Sequence, residues 1–323
     1  MEEIPALFSL FGKEVDVYTV FIWAAVLLGL IVFFACSRKC RKRTVILTAV
    51  LSVPVGLLCA RLVYMLVQSD MIGFESFFRA ADPEENFWGS ANGASLWGAF
   101  GGVALAAWAA SVLTGGRTAD TMDALAPAAA LTIAVSRFGE YFIGEGSGPY
   151  AEAEWTHFFP LAAPFPDRGW QFAVFFLEGL TALAIFVILL VRRGKLANGY
   201  LARNFVILYA SCQVLLERLR EEDNHLIFIT FFLRFSQVMA VPVLLALMIC
   251  AMRRRKRRVP AERTPARRNV ICFVGFFLTA GVCVALEYAM DKSAYFPLPL
   301  LYILELACCV GFGLTSSGVI MKN

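Results

Sequence analysis

Residues 134–148 read AVSRFGEYFIGEGSG and close an apolar helix that begins near Met122. Arg137 and Glu140 lie three residues apart in this stretch, so they share one helical face. The hydrocarbon core of a bilayer excludes charge, so two charges at the end of a spanning helix need a reason. One interpretation is an Arg–Glu pair that ends the helix near the lipid headgroups. The other is an anion site, because the planar arginine fork suits a phosphate and glycines let backbone approach a ligand.

The composition is that of an integral membrane protein. The 323 residues are 59% hydrophobic and 17% charged, and the mean hydropathy is +0.68. Soluble domains carry about 25% charged and about 45–50% apolar residues. A span needs roughly 20 apolar residues, so the length allows about eight or nine spans. The net charge of +4 is concentrated in a few loops, which is a topology signal and gives no indication of nucleic-acid binding.

Neither the nine cysteines nor the two histidines predict a metal site. Most of the cysteines lie inside apolar runs, as Cys308 and Cys309 do, and none has zinc-site spacing with histidine partners. We interpret them as small apolar residues and expect no metal and no cofactor. The chain begins with Glu2 and Glu3, so it lacks the basic start of a cleaved signal peptide.

The apolar runs predict nine spans and therefore an all-α, polytopic helical membrane protein. The predicted spans lie at about 17–36, 44–67, 95–114, 122 into the quoted stretch, 170–191, 201–219, 227–252, 269–290 and 298–320. Basic segments follow the first, fifth and seventh spans, and basic loops stay in the cytoplasm. The N-terminus is therefore predicted to lie outside and the C-terminus in the cytoplasm.

The spans fall into two predicted domains. Residues 1–258 hold the first seven, and residues 269–323 form a hairpin of the last two. A basic, proline-containing linker at 259–268 joins these domains. Glu287 and Glu305 are the only charges deep in the hairpin.

The quoted stretch resembles the signature of the prolipoprotein diacylglyceryl transferase family of bacterial inner membranes. That signature reads G-R-x-G-N-F-x-N-G-E-x-x-G, and residues 136–148 align with it without gaps. The match includes Arg137, Glu145 and three of the four glycines, among them Gly139 and Gly148. Both signature asparagines are replaced, the first of them by Glu140.

Further landmarks of the family follow in order along the chain, from about Tyr18 to Arg257. They are Tyr18 in the first span, Arg61 and Tyr64 in a G-A-R-L-x-Y segment, Trp97 and Gly98 on an S-F-H-G segment, Gln171 with Leu177-Glu178-Gly179 on H-P-S-Q…L-E-G, Glu217 and Arg220 on E-F-F-R, and Gln237 and Pro242 on G-Q-x-x-S-x-P. The resemblance implies seven spans with an outside N-terminus, and the predicted C-terminal hairpin lies beyond it.

The resemblance also implies a reaction. The family moves a diacylglyceryl group from phosphatidylglycerol to the lipobox cysteine thiol of a secreted prolipoprotein and releases glycerol phosphate, without a metal. The implied partners are phosphatidylglycerol, the lipobox-bearing signal peptide of the prolipoprotein and other membrane lipids, with no nucleic acid. The implied catalytic residues are Arg137, Glu145, Glu217 and Arg220, and the implied substrate-binding residues are Tyr18, Arg61, Tyr64, Trp97, Gly98, Gly139, Glu140, Gly148, Gln171 and Gln237.

Within this set, the resemblance makes Arg137, Arg220 and Arg61 the candidate phosphate contacts. Glu145 and Glu217 would orient these arginines or accept the thiol proton.

Three departures from the family pattern support an alternative. Trp97 stands at the histidine of S-F-H-G and cannot accept a proton, and Gln213 stands at a family arginine. Glu140 is the third change at a polar position. A protein that kept the fold but only binds lipid, or acts as an accessory membrane protein, is therefore the second hypothesis. A transporter is disfavoured, because the sequence shows no broken-helix pairs in matching halves.

Overall fold

A computed structural model describes residues 8–10, 13–67, 95–166, 168–194, 198–220, 233–256, 266–292 and 298–320. Nine long helices make up most of these ranges: α1 Val17–Cys36, α2 Lys42–Val67, α3 Leu96–Thr114, α4 Thr118–Gly139, α5 Val174–Arg192, α6 Tyr200–Leu219, α7 Phe235–Lys256, α8 Ala266–Lys292 and α9 Leu298–Ile320. Two short antiparallel hairpins join β1 Phe8–Leu10 to β2 Lys13–Val15 and β3 Ala162–Phe165 to β4 Gly169–Phe172. The predicted helical membrane fold is confirmed.

Seven of these helices are long and apolar enough to cross a membrane, namely α1, α2, α3, α5, α7, α8 and α9. The other two, α4 and α6, are more polar than the sequence prediction of nine similar spans implies. α4 contacts both α1 and α5, and nine of its residues are buried, so much of its surface faces protein. The described part of the chain is therefore a multi-pass membrane protein in which helix α4 is shielded by its neighbours.

The predicted start of the fifth span at Trp170 is wrong. Residues 169–172 form strand β4, and helix α5 begins only at Val174. Gly169 has φ +71°, outside the helical region, and the backbone of Gln171 pairs with Ala163 of β3. Gln171 consequently lies in a hairpin and not inside the helix.

The seventh span also starts later than the predicted residue 227. Helix α7 begins at Phe235, and residues 221–232 lie outside the described ranges. The Gln237 side-chain oxygen accepts a hydrogen bond from the Arg234 backbone N–H at 3.1 Å. A glutamine at the third helical position that reaches back to the residue before the helix is a known helix start, which accounts for the boundary.

The chain divides into two compact units. The first comprises residues 1–202 and 220–222, and the second comprises residues 203–219 and 223–323. In the first unit, α1 packs on α4, α4 packs on α5, and α2 packs on α3. In the second unit, α9 packs on both α8 and α7.

Glycines set the close contact between α2 and α3. A Cβ added at Gly102 would lie 2.8 Å from the Gly56 Cα and 2.9 Å from the Cys59 Cβ, closer than carbon atoms approach. Gly98, one turn earlier, would likewise meet the Ala60 Cα at 2.8 Å. Small residues that let two backbones approach are a common basis of helix association in membranes.

Gly102→Ala is therefore expected to separate α2 from α3 and to lower the free energy of unfolding by about 1–3 kcal/mol, as overpacking does. Gly101→Ala is the matched control, because a Cβ at Gly101 meets nothing within 4 Å. Thermal unfolding in detergent compares the two. Equal melting temperatures for both variants would mean that the α2–α3 contact does not depend on Gly102.

In the second unit, the C-terminal hairpin is tied to the preceding helices by a fully buried carboxylate. Glu287 of α8 accepts a hydrogen bond from the Gln237 Nε2 of α7, and its Oε2 lies 3.5 Å from the Arg218 Nε of α6. Gln237 Nε2 also donates to the Val214 carbonyl at 3.0 Å. Three helices therefore meet at Glu287, so α8 packs as part of this unit.

Candidate functional site

Arg137 and Arg220 converge in the first unit. Arg137 lies in the last turn of α4, and Arg220 directly follows α6. The Glu178 Oε2 atom of α5 lies 2.8 Å from the Arg137 Nε and 3.0 Å from the Arg220 Nη1. A single carboxylate oxygen thus contacts both arginines, which brings two positions 83 residues apart in sequence (220 − 137) into one cluster.

Glu140 completes the cluster from the other side. Its Oε1 pairs with the Arg137 Nη1, and its Oε2 lies 3.4 Å from the Arg220 Nη2. Each arginine therefore contacts both glutamates and each glutamate contacts both arginines. We call Arg137, Glu140, Glu178 and Arg220 the charge ring.

The charge ring is buried. Its side chains expose 15% at Arg137, 8% at Glu140, 7% at Arg220 and 1% at Glu178. The Arg137–Glu140 pair of the first interpretation is present at the end of α4, but it is buried and Arg137 also contacts Glu178. Buried guanidinium groups keep several N–H donors in a fixed fork, which is the geometry that recognises a phosphate.

The glycine-rich segment after α4 packs directly on the charge ring. Glu140 starts a 3₁₀ turn that ends at Ile143, and Gly144 and Gly146 follow with φ of +69° and +68°. A Cβ at Gly146 would contact the Glu140 Oε2 and would lie 3.1 Å from the Arg220 Nη2. Only glycine allows the backbone to pass this close in this conformation.

Several predicted substrate-binding residues surround the charge ring. Tyr18 lies within electrostatic range of Arg137, Glu140, Glu145 and Arg220. A Cβ at Gly139 would lie 3.3 Å from the Tyr18 ring, so α1 and α4 approach closely here.

On another side, the backbone N–H of Gly148 donates to the Phe172 carbonyl at 2.8 Å, next to the buried Gln171 of β4. The hairpin of β3 and β4 therefore holds the glycine-rich segment in place.

Four other predicted residues lie on α2 and α3. The Arg61 guanidinium lies 5.6 Å from the centre of the Tyr64 ring, a cation–π contact. The Ser95 N–H donates to the Ala60 carbonyl at 3.0 Å, which brings the start of α3, with Trp97 and Gly98, next to this pair. Trp97 itself packs edge-on against Phe100.

The remaining predicted residues lie in different surroundings. Glu217 and Gln237 are both buried in the second unit, where the Gln237 side chain holds helices together. Glu145 donates its backbone N–H to the Glu140 carbonyl at 3.2 Å. The catalytic roles of Glu145 and Glu217 stay predictions, whereas Glu140 and Glu178 contact the arginines of the charge ring.

Glu178 was not among the predicted site residues, although it contacts both arginines. The signal was present in the sequence, because a glutamate in the middle of an apolar span needs a buried partner. Gly179 beside it lets the Phe138 ring pack onto α5, since a Cβ there would overlap that ring.

A sequence model of the prolipoprotein diacylglyceryl transferase family matches residues 5–253, which is 249 of the 323 residues. The chain belongs to this family. It is therefore a membrane protein of a transferase family of lipoprotein biosynthesis, as the resemblance of the quoted stretch predicted, and α8 and α9 lie beyond the matched region.

Proteins named phosphatidylglycerol–prolipoprotein diacylglyceryl transferase are similar over much of the chain. The one from Oleidesulfovibrio alaskensis is 29% identical over 189 residues, which is 57% of this chain and 70% of the relative. The one from Legionella pneumophila strain Lens is 30% identical over 155 residues, 47% of this chain and 59% of the relative. The one from Clostridium novyi is 24% identical over 225 residues, 68% of this chain and 85% of the relative.

Proposed function

We propose that this protein transfers a diacylglyceryl group from phosphatidylglycerol to the lipobox cysteine thiol of a prolipoprotein. The reaction takes place at the outer face of the bacterial inner membrane, with the N-terminus outside and the C-terminus in the cytoplasm. The names of the relatives and the family match support the donor and the acceptor class. The basic segment around residues 253–256 supports the orientation.

The observation that carries the proposal is the convergence of Arg137 and Arg220 on Glu178 in a buried charge ring. Each guanidinium carries five N–H donors in a planar fork, which is the geometry that suits the oxygens of a phosphate. Donors aimed at a developing negative charge stabilise a transition state most strongly where water is excluded. Two convergent, buried arginines meet that requirement for a phosphodiester.

The chemistry assigned to the site is a displacement at carbon. The cysteine sulfur forms a bond to the glycerol carbon of the diacylglyceryl group, and the bond from that carbon to the phosphate oxygen breaks. The electron pair of the broken bond leaves with glycerol phosphate, and Arg137 and Arg220 stabilise the charge on it. The thiol proton goes to a base or to water, which is required because a free cysteine has a pKa of about 8.5.

The proton acceptor differs from the family pattern. Trp97 stands at the family histidine and offers only an N–H donor. We assign proton acceptance to Glu145, which follows the 3₁₀ turn of Glu140 and shares the electrostatic surroundings of Tyr18 with the charge ring. Glu217 is the other carboxylate that the resemblance supplies for this task.

A second candidate function is lipid binding without transfer. It is favoured by the electroneutrality of the charge ring, since two arginines fully balanced by two glutamates also make a structural cluster. The replacement of the family histidine by Trp97 points the same way.

Complementation separates the two candidates. A bacterial strain depleted of its own transferase is expected to regain growth and diacylglyceryl-modified lipoproteins when it makes this protein. The Arg137→Ala variant is expected to fail at equal membrane abundance, and Arg117→Ala, at an exposed arginine directly before the same helix, is expected to succeed. Unmodified prolipoprotein in a strain with abundant wild-type protein would favour the lipid-binding function.

A further inference from the structure

The charge ring carries no net charge when its glutamates are ionised. Arg137 and Arg220 supply two positive charges, and Glu140 and Glu178 supply two negative charges. A phosphodiester brings another negative charge, so it gains little from a ring that is already balanced. A ligand phosphate therefore binds well only if one of the two carboxylates breaks its ion pairs with the arginines.

The two carboxylates are not equivalent. Glu178 lies within a helix, exposes 1% of its side chain and makes contacts of 2.8 and 3.0 Å to the two arginines. Glu140 lies past the end of α4 in a 3₁₀ turn, exposes 8% and is 3.4 Å from the Arg220 Nη2. Glu140 thus pairs closely with Arg137, makes the longest of the four ring contacts, which is to Arg220, is the more exposed of the two carboxylates and is attached to a backbone turn.

The backbone of Gly146 borders the contact between Glu140 and Arg220. A Cβ added at Gly146 would overlap the Glu140 Oε2 and would lie 3.1 Å from the Arg220 Nη2. Movement of the Glu140 carboxylate would therefore leave the Arg220 Nη2 facing this glycine-rich segment.

We propose that Glu140 is an internal competitor for the lipid phosphate and thereby determines how strongly the site binds anionic headgroups. In the absence of lipid it balances Arg137 and Arg220, which spares the protein two buried, under-paired cations. When the phosphodiester binds, its oxygens replace the Glu140 carboxylate, while Glu178 stays and holds the two arginines together. This inference rests on the proposed function for the identity of the lipid, and its test includes a binding measurement that does not depend on transfer.

The experiment measures binding of phosphatidylglycerol to purified protein in a neutral detergent. Diacylglycerol, which lacks the phosphate, and inorganic phosphate, which lacks the lipid, are the comparison ligands. Glu140→Asn and Glu140→Gln remove the charge, and the second variant also keeps the side-chain length. Glu154→Gln removes the same charge from an exposed glutamate of the first unit and is the matched control.

Both Glu140 variants are expected to bind phosphatidylglycerol about tenfold more tightly than the wild type, which corresponds to about 1.4 kcal/mol. Diacylglycerol binding and the Glu154→Gln variant are expected not to change. If inorganic phosphate also binds more tightly by the same factor, the effect belongs to the phosphate itself. If only the lipid binds more tightly, the effect belongs to the whole headgroup. Both results support Glu140 as a competitor for the lipid phosphate.

Equal or weaker binding of phosphatidylglycerol by both Glu140 variants would overturn the inference. Failure of both variants to fold would also overturn it, because the inference requires that Glu178 alone can hold the two arginines. If both Glu140 variants bind phosphatidylglycerol more tightly but neither they nor the wild type transfer the diacylglyceryl group, the inference about Glu140 is supported and the proposed transferase function is contradicted.

Discussion

Replacing Arg137 or Arg220 with lysine is expected to lower kcat/KM for diacylglyceryl transfer by about 10²–10³-fold, the loss typical of removing one donor that stabilises developing charge. Each arginine uses two nitrogens at once, Nε and Nη1 at Arg137 and Nη1 and Nη2 at Arg220. A lysine ammonium is a point charge and cannot reproduce this planar fork. Steady-state transfer from phosphatidylglycerol to a lipobox peptide measures the effect.

Arg117→Lys is the control for these substitutions. Arg117, directly before α4, also has an acidic residue three positions later, at 3.6 Å, but the Arg117 side chain is 73% exposed. Exposed pairs contribute about 0–1 kcal/mol, so this variant is expected to transfer at the wild-type rate. If Arg137→Lys and Arg220→Lys retained the same activity as Arg117→Lys, the two arginines would be structural and not part of a phosphate site.

Glu178→Ala is expected to lower the free energy of unfolding by about 3–5 kcal/mol, the cost of breaking a buried ion pair by removing one partner. The Glu178 Oε2 contacts both Arg137 and Arg220, so its loss leaves Glu140 as the one ring carboxylate for two buried cations. Unfolding by denaturing detergent, followed by circular dichroism, measures the change.

A second substitution tests whether the unpaired charge is the cause. Combining Glu178→Ala with Arg220→Met removes one of the two cations, and it is expected to recover part of the stability lost in Glu178→Ala alone. Glu154→Ala, at an exposed position, is expected to change stability by no more than about 0.5 kcal/mol. Strictly additive losses in the double variant would argue against the charge ring as a coupled unit.

Much of the fold follows from the sequence because the bilayer imposes simple rules. Spans must be long and apolar, so the bounds of α1 and α9 agree with the predicted ones to the residue. The same rule singled out Arg137 and Arg220, because a charge in or beside a span needs a partner. This rule does not predict which residue pairs with Arg137 and Arg220. Glu178 of α5 reaches the two arginines through helix packing and not through spacing along one helix.

Other features depend on contacts that no local pattern encodes. Gln171 sits among apolar residues that predict a helix, yet cross-strand pairing with Ala163 keeps it in a hairpin. Gln237 resembles a substrate-binding residue of the family, but in the structure its side-chain Nε2 donates hydrogen bonds to the Val214 carbonyl and to the Glu287 carboxylate. Glu287 lies beyond the family match, so the resemblance gave no reason to connect it with Gln237.

The most direct measurement of the central claim is transfer in vitro from phosphatidylglycerol labelled in its acyl chains. Purified wild-type protein and a lipobox peptide are expected to give a thioether-linked diacylglyceryl peptide and one glycerol phosphate per product, both identified by mass spectrometry. Arg137→Ala, which removes one cation of the charge ring, is expected to give neither product. Labelled peptide from the wild type at no more than the Arg137→Ala level would contradict the assignment of the charge ring as a diacylglyceryl transfer site.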